Sequence, residues 1–406
     1  MNQDELYEAS IALLEKHQSV NGAFAASPFY PTYRYCWFRD GSYIAHALLM
    51  AGRTEAAGRF HRWVAETILR RSGQIEEILA TIRRNREEGR PLLTDLEESR
   101  LLHTRYHVDG EDGRDEWENH QLDGFGTWLW SLGEYLESAG QDERAGGKYG
   151  FGGGEDQDAL RHAASLVSSY LVELAEEPCY DLWEEHREYR HSYTLGAIAA
   201  GLDAVEWITR AGRRDGAPTL KVSDARHGAD ARNHTDERDN TDERHGADAR
   251  LRSVATAVGY YPKFCDVGDP GGVDASVIAL AVPYNVVSLK DSYFLESVKR
   301  VEQDLLDHGG VHRYATDTFY GGGRWILLSC WLAWYYYRAG RRDEGDALLR
   351  WVESTQTPEG YLPEQENTRL IDPTMYRPWV EKWGAPATPL LWSHAMYVLA
   401  VLERGR

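Results

Sequence analysis

Apolar residues along this chain recur every three to four positions over long stretches. Leu122, Phe125, Leu129, Leu132 and Leu136 form one such stripe, and Leu160, Ala163, Val167, Tyr170 and Leu174 form another. This spacing puts side chains on one face of an α-helix. The strict alternation of a half-buried strand is scarce. The pattern predicts about twelve helices, near 3 to 18, 41 to 51, 53 to 70, 120 to 138, 158 to 176, 190 to 210, 250 to 258, 274 to 281, 292 to 306, 324 to 339, 342 to 355 and 388 to 404. Several meet at short breaks such as Ala51-Gly52-Arg53 and Ala339-Gly340-Arg341, where a glycine ends one helix and lets the next run back antiparallel. Twelve helices joined in this way suit six hairpins closing a ring, an all-α architecture.

Two stretches fall outside the packed pattern. Residues 224 to 250 contain no Leu, Ile, Val, Met or aromatic residue. They repeat His-Gly-Ala-Asp-Ala-Arg at 227 to 232 and 245 to 250, and Thr-Asp-Glu-Arg from 235 and from 241. Such a segment has too little apolar surface to offset its ordering entropy, so a solvated insertion is expected. Gly146 to Gly154 is glycine-rich but lacks the Lys-Ser or Lys-Thr ending of a phosphate loop, which favours a surface loop. The remainder reads as one domain over residues 1 to 406, long for a single core unless the fold is a closed barrel.

Charge narrows the choice of partner. Asp and Glu number 65 against 45 Lys and Arg, a net charge of -20. That balance disfavours nucleic acid and acidic membrane surfaces and favours a neutral ligand. The N-terminus lacks the basic start and apolar run of a secretory signal, and no run of 18 or more apolar residues occurs, so a cytoplasmic protein without a membrane span is expected. Cys36, Cys179, Cys265 and Cys330 are widely spaced, which suggests buried free thiols and no zinc site.

The candidate chemistry rests on acids beside aromatic residues in separate segments. Trp183-Glu184-Glu185 is answered far downstream by Pro363-Glu364-Gln365. Two such carboxyls are what cleavage of a glycosidic bond needs: one arrives protonated to put a proton on the leaving oxygen, and the other is ionised and draws a proton from water. Tyr33-Arg34-Tyr35-Cys36-Trp37-Phe38-Arg39-Asp40 sets a charged pair after an aromatic run. It could bind sugar hydroxyls, or Asp40 could simply cap the following helix. Trp117-Glu118-Asn119-His120-Gln121-Leu122-Asp123 offers further hydrogen-bonding groups, with Asn119 or Asp123 equally explained as caps. Arg313 and Arg324 sit in polar-aromatic turns where either could pair with a surface acid.

Five segments, in order, resemble the motifs of the glucoamylase family, glycoside hydrolase family 15: residues 33 to 40, Asp-Leu-Trp-Glu-Glu at 181 to 185, His-Arg-Tyr at 312 to 314, Leu-Pro-Glu-Gln at 362 to 365 and Leu-Trp-Ser-His at 391 to 394. The resemblance implies an (α/α)6 barrel and inversion at the anomeric carbon, with no metal or other cofactor and the two carboxyls about 6.5 to 9.5 Å apart. It makes Glu184 the general acid and Glu364 the general base. Arg39, Asp40 and Arg313 would hold the terminal glucose, Trp37, Trp117 and Trp183 would wall it, and Glu185 would be an electrostatic neighbour. Trp183 is expected to raise the pKa of Glu184 by excluding water, while Glu364 stays ionised in a wetter setting.

The expected partner is a neutral α-glucan oligosaccharide. The chain begins at the first barrel helix, and Gly-Gly-Gly-Arg-Trp at 321 to 325 departs from the Gly-Gly-Asn-Pro-Trp type, which puts sugar contacts there in question. The compact layout resembles single-domain isomaltose glucohydrolases. A maltodextrin-directed glucoamylase, a trehalase and a non-catalytic carbohydrate-binding protein on the same scaffold stand as alternatives. Linkage preference and oligomeric state are not encoded in any recognisable motif.

Overall fold

Both apolar stripes become helices in the computed structural model, which describes residues 1–113, 117–144, 154–214, 246–266 and 271–406. The α-helices among these residues are α1 (Gln3–Lys16), α2 (Phe38–Met50), α3 (Thr54–Leu69), α4 (Ser72–Glu87), α5 (Asp123–Arg144), α6 (Gly154–Leu174), α7 (Ser192–Arg214), α8 (Gly246–Val258), α9 (Ser292–Arg300), α10 (Ile326–Arg338), α11 (Arg342–Ser354), α12 (Tyr376–Trp383) and α13 (Leu391–Arg404).

Six segments close an inner ring. In order, α2, α5, α7, the 3-10 helix Ala275–Leu280, α10 and α13 each touch the next, and α13 returns to α2. Ring helices are buried almost end to end, α2 from Phe38 to Leu49 and α10 from Ile326 to Tyr337. The outer helices α1, α3, α6, α8, α9 and α11 back this ring and bury a single stripe, as α11 does with Gly345, Leu348, Leu349 and Val352. This is the (α/α)6 barrel, and its twelve ring and backing segments are the twelve that the apolar spacing predicts. Tight contact within the ring needs glycine at the α5–α7 crossing. A Cβ on Gly201 would lie 2.5 Å from the carbonyl oxygen of Gly126, and one on Gly126 would lie 2.4 Å from that of Ala197. At the expected breaks, Gly52 and Gly340 do take left-handed backbone, with φ of 77° and 75°.

Three differences from the spacing have physical causes. α4 contacts α6 and buries the stripe Ile75, Ile78, Leu79 and Ile82; it follows α3 after two residues, and Gly73 at its start lies inside the helix and does not take left-handed backbone. α12 is one short helix of eight residues with no fully buried side chain, and its stripe of Tyr376, Trp379, Val380 and Trp383 spans too few turns to stand out in the chain. The stretch expected as a helix near 274 to 281 is a 3-10 helix, whose first turn is fixed by the Asp274 carboxylate accepting from the Ser276 amide at 2.9 Å. Most of the expected insertion, residues 224–245, lies outside the described residues. Its last five residues form the start of α8, where Ala247 is buried. The glycine-rich segment also lies outside them, apart from Gly154 at the head of α6.

Short strands sit where the chain enters the ring. β1 (Cys36–Trp37) pairs with β2 (Arg105–Tyr106) and runs straight into α2. β3 (Leu306–Asp307), β4 (Gly310–Val311), β5 (Arg324–Trp325) and β6 (Gln365–Glu366) form a second antiparallel sheet, and β5 runs straight into α10. The segments before α2, α10 and α12 meet at one end of the barrel, where Trp37, Trp325 and Glu364 border the same space. All four cysteines are buried and unpaired. Among the described residues no helix is long and apolar enough to cross a membrane.

Candidate active site

A cavity of about 250 Å³ opens at that end of the ring. Its lining includes every residue expected from the sequence: Trp37, Arg39, Asp40, Trp117, Trp183, Glu184, Glu185, Arg313 and Glu364. Residues that the sequence left unmarked as ligands also line it, among them Tyr33, Phe319, Trp325, Trp392 and the α12 residues Trp379, Lys382 and Trp383.

Glu184 lies in the loop between α6 and α7, within a turn built around Asp181. One carboxylate oxygen of Asp181 accepts from the amides of Trp183 and Glu185, each at 2.9 Å, while its carbonyl accepts from the Glu184 amide at 3.0 Å. The turn holds Glu184 at φ 67° and His186 at φ 56°, a left-handed backbone unusual for side chains of this size. Trp37 donates its indole N–H to Oε1 of Glu184 at 2.5 Å. Burial pushes the Glu184 carboxyl up to about 7, opposed by the Arg39 cation and by the Trp37, Trp117 and Gln121 donors, which favour its anion. Trp183 lines the same cavity, and its indole N–H donates to the Asp274 carboxylate at 2.8 Å.

Glu364 is held by backbone pairing. Its amide donates to Ala387 O at 2.9 Å and its carbonyl accepts from the Ile326 amide at 3.3 Å, immediately before β6. The expected wetter setting is not found. Glu364 is 3% exposed, drier than the partly exposed Glu184. Burial pushes its carboxyl up to about 8, with Asp40 adding like-charge repulsion, while the Tyr33 hydroxyl and Arg313 favour the anion. The sequence around Pro363-Glu364-Gln365 is polar, but the dry environment is made by distant segments, which no local pattern displays.

Asp40 is not a helix cap; Trp37 holds that position and Asp40 lies in the first turn of α2. Its Oδ2 pairs with Arg39 at 3.3 Å, and burial pushes the carboxyl up to about 6 against the pull of Arg39. Arg39 is fixed from behind by Gln121 and Asp123, each at 3.2 Å, and lies over the Trp392 ring. Asp123 thus serves the site, where the sequence offered a cap as an equal explanation. Arg313 is 2% exposed and pairs with Asp317 at 2.5 Å and Glu185 at 3.1 Å, not with a surface acid. Tyr314 donates its hydroxyl to the other oxygen of Glu185. Arg324 turns away to Glu366 and the Asp307 carbonyl, so within 321 to 325 only Trp325 faces the cavity. Among the described residues no group of three or more His, Cys, Asp or Glu is arranged to hold a metal ion.

Two carboxyls raised towards neutrality thus share one small aromatic-walled cavity at the end of an (α/α)6 barrel. The model for glycosyl hydrolases family 15 matches residues 2–373, and the chain belongs to that family. It is a glycoside hydrolase of the glucoamylase type. It is 37% identical over 414 residues to the isomaltose glucohydrolase of Kribbella flavida, covering 99% of this chain and 93% of that protein. A wild-type glycosidase of known structure, 33% identical, superposes with a TM-score of 0.80 over 99% of this chain and 97% of its own. The glucoamylase of Saccharomycopsis fibuligera, 15% identical, shares the fold with a TM-score of 0.68 over 99% and 94%.

Proposed function

We propose that this protein is an exo-acting, inverting α-glucosidase that releases β-glucose from the non-reducing end of short α-gluco-oligosaccharides, with isomaltose and other α-1,6-linked sugars favoured. The observation that carries this reading is the presence of Glu184 and Glu364 in one cavity, both with pKa values raised towards neutrality. The cavity, at about 250 Å³, lies below the range of about 300 to 1,000 Å³ typical of drug-sized ligands, which favours a grip on one terminal ring over a long chain. The name of the Kribbella flavida relative supports the α-1,6 preference.

In this mechanism Glu184 protonates the glycosidic oxygen as the C1–O bond breaks. Glu364 takes a proton from a water that attacks C1 from the opposite face, so the anomeric configuration inverts. Arg39, Asp40 and Arg313 bind hydroxyls of the terminal ring, Trp37, Trp117 and Trp183 cover its C–H faces, and Glu185 stabilises Arg313. The working state has lost the proton of Glu364 and kept that of Glu184. Before sugar binds, burial raises both carboxyls towards neutrality, so neither is set apart as the base by its environment alone. Oε2 of Glu364 is buried and accepts no hydrogen bond from any described residue. A water or sugar hydroxyl donating to it in the complex stabilises the Glu364 anion and lowers its pKa below that of Glu184.

Anomeric proton NMR during early hydrolysis tests the proposal. β-Glucose as first product is expected, and α-glucose would overturn the mechanism. Glucose release from isomaltose, panose, maltose, maltotriose and trehalose ranks the linkages. Preference for maltotriose or trehalose would replace the α-1,6 reading with a maltodextrin or trehalose enzyme.

A further inference from the structure

Lys263 does not line the cavity, and no motif marks it, yet it is 3% exposed and carries a charge. Its backbone is tied on both sides. The amide donates to Gly272 O at 2.8 Å, and the carbonyl accepts from the Ser192 amide at the head of α7 at 3.2 Å. Its ammonium lies 3.4 Å from Asp181, 3.7 Å from Asp274 and 4.0 Å from Glu185, and 3.1 Å over the centre of the Tyr314 ring. The first two carboxylates grip the backbone or side chains on either side of Glu184. Asp181 takes the amides of Trp183 and Glu185, and Asp274 takes the Trp183 indole. One cation therefore neutralises two buried anions whose joint task is to keep the Trp183–Glu185 turn in shape. Buried carboxylates deprived of their counter-charge repel each other and protonate or move apart. The left-handed backbone at Glu184 persists only while its surroundings hold it there.

We propose that Lys263 is a positioning residue for the proton donor: through Asp181 and Asp274 it holds the turn that presents the Glu184 carboxyl to the cavity. This inference rests on the assignment of Glu184 as general acid, and its test separates the two. Lys263→Met keeps the length and removes the charge. A misplacement of the donor by about 1 Å costs about a hundredfold, so kcat on isomaltose should fall by about that factor with KM little changed. α-Glucosyl fluoride makes a sharper probe, because fluoride leaves without needing a proton while the base still activates water. Its turnover should be nearly retained in Lys263→Met, and Lys263→Arg should restore most of the isomaltose activity. Should Lys263→Met fail to fold, the double variant Lys263→Met with Asp274→Asn removes one buried anion along with the cation and is read the same way. A parallel loss on both substrates, or full isomaltose turnover without the cation, overturns the proposal. Glu184→Gln is the control. If it too loses the fluoride reaction, the donor assignment fails and Lys263 with it; if it spares the fluoride while Lys263→Met does not discriminate, Lys263 alone is refuted.

Discussion

The walls that carry Glu184 and Glu364 are built by different forces. The Glu184 turn is closed by hydrogen bonds to Asp181 and backed by charge: Lys263 lies against Asp181 and Asp274 behind it, and Glu185 pairs with Arg313 beside it. The Glu364 segment is held by backbone hydrogen bonds to Ala387 and Ile326, and β6 continues it against β5. Their carboxyls differ in the same direction as their supports. Glu184 is partly exposed and accepts an indole N–H, whereas Glu364 is dry, with the Tyr33 hydroxyl and the more distant Arg313 favouring its anion. Burial raises both, and the residue proposed as base is raised further. What separates donor from acceptor in the proposed reaction is therefore the position of each relative to substrate, not a resting difference in hydration.

The largest effect follows from deleting either proton function. Glu184→Gln and Glu364→Gln are each expected to lower kcat by about 10²- to 10⁴-fold, the usual contribution of a positioned acid or base. Glucose binding by calorimetry and the thermal midpoint should stay near those of the parent. Near-normal turnover in either variant removes that residue from its role and dissolves the contrast between the walls.

Removing a sugar clamp should cost less. Asp40→Asn replaces a charged acceptor for sugar hydroxyls by a neutral one. Hydrogen bonds to charged groups contribute about 1.5 to 3 kcal/mol, so kcat/KM is expected to fall by about ten- to a hundredfold. Asp40 also raises the Glu364 pKa through like-charge repulsion, so the acid limb of the kcat pH profile, where the base ionises in the sugar complex, should move to lower pH. A lower kcat/KM with an unmoved acid limb would keep Asp40 as a ligand and deny its electrostatic hold on Glu364.

Much of this arrangement was legible before any coordinates. The helical spacing identifies all twelve segments of the double ring, because each buries a stripe or a whole surface against a neighbour. It misses α12, which fully buries no side chain and still contributes Trp379, Lys382 and Trp383 to the cavity. Tyr33, Asp123 and Trp392 lay within segments already marked for their motifs, and their partners alone were hidden. Lys263 carried no signal, as a single lysine in Tyr261-Pro262-Lys263-Phe264 reads like any surface charge until the fold surrounds it with Asp181 and Asp274. The dryness of Glu364 was equally unreadable, since it is created by chain from the other ends of the sequence closing over a locally polar segment.

The smallest effects are shifts in pH profile, and they test the comparison most directly because each variant touches one wall. Tyr33→Phe removes a hydroxyl that stabilises the Glu364 anion. Losing a donor to a carboxylate raises its pKa, so the acid limb of the kcat profile, where the base becomes ionised in the sugar complex, should move to higher pH. Trp37→Phe removes the N–H that stabilises the Glu184 anion. The Glu184 pKa then rises, the donor keeps its proton longer, and the basic limb should move to higher pH while the acid limb stays. Each shift is expected to be about one unit or less, because a hydrogen bond of this kind contributes about 1 kcal/mol net and one pKa unit is about 1.4 kcal/mol. If Tyr33→Phe moved the basic limb and Trp37→Phe the acid limb, the acid and base would have to be exchanged between the two walls.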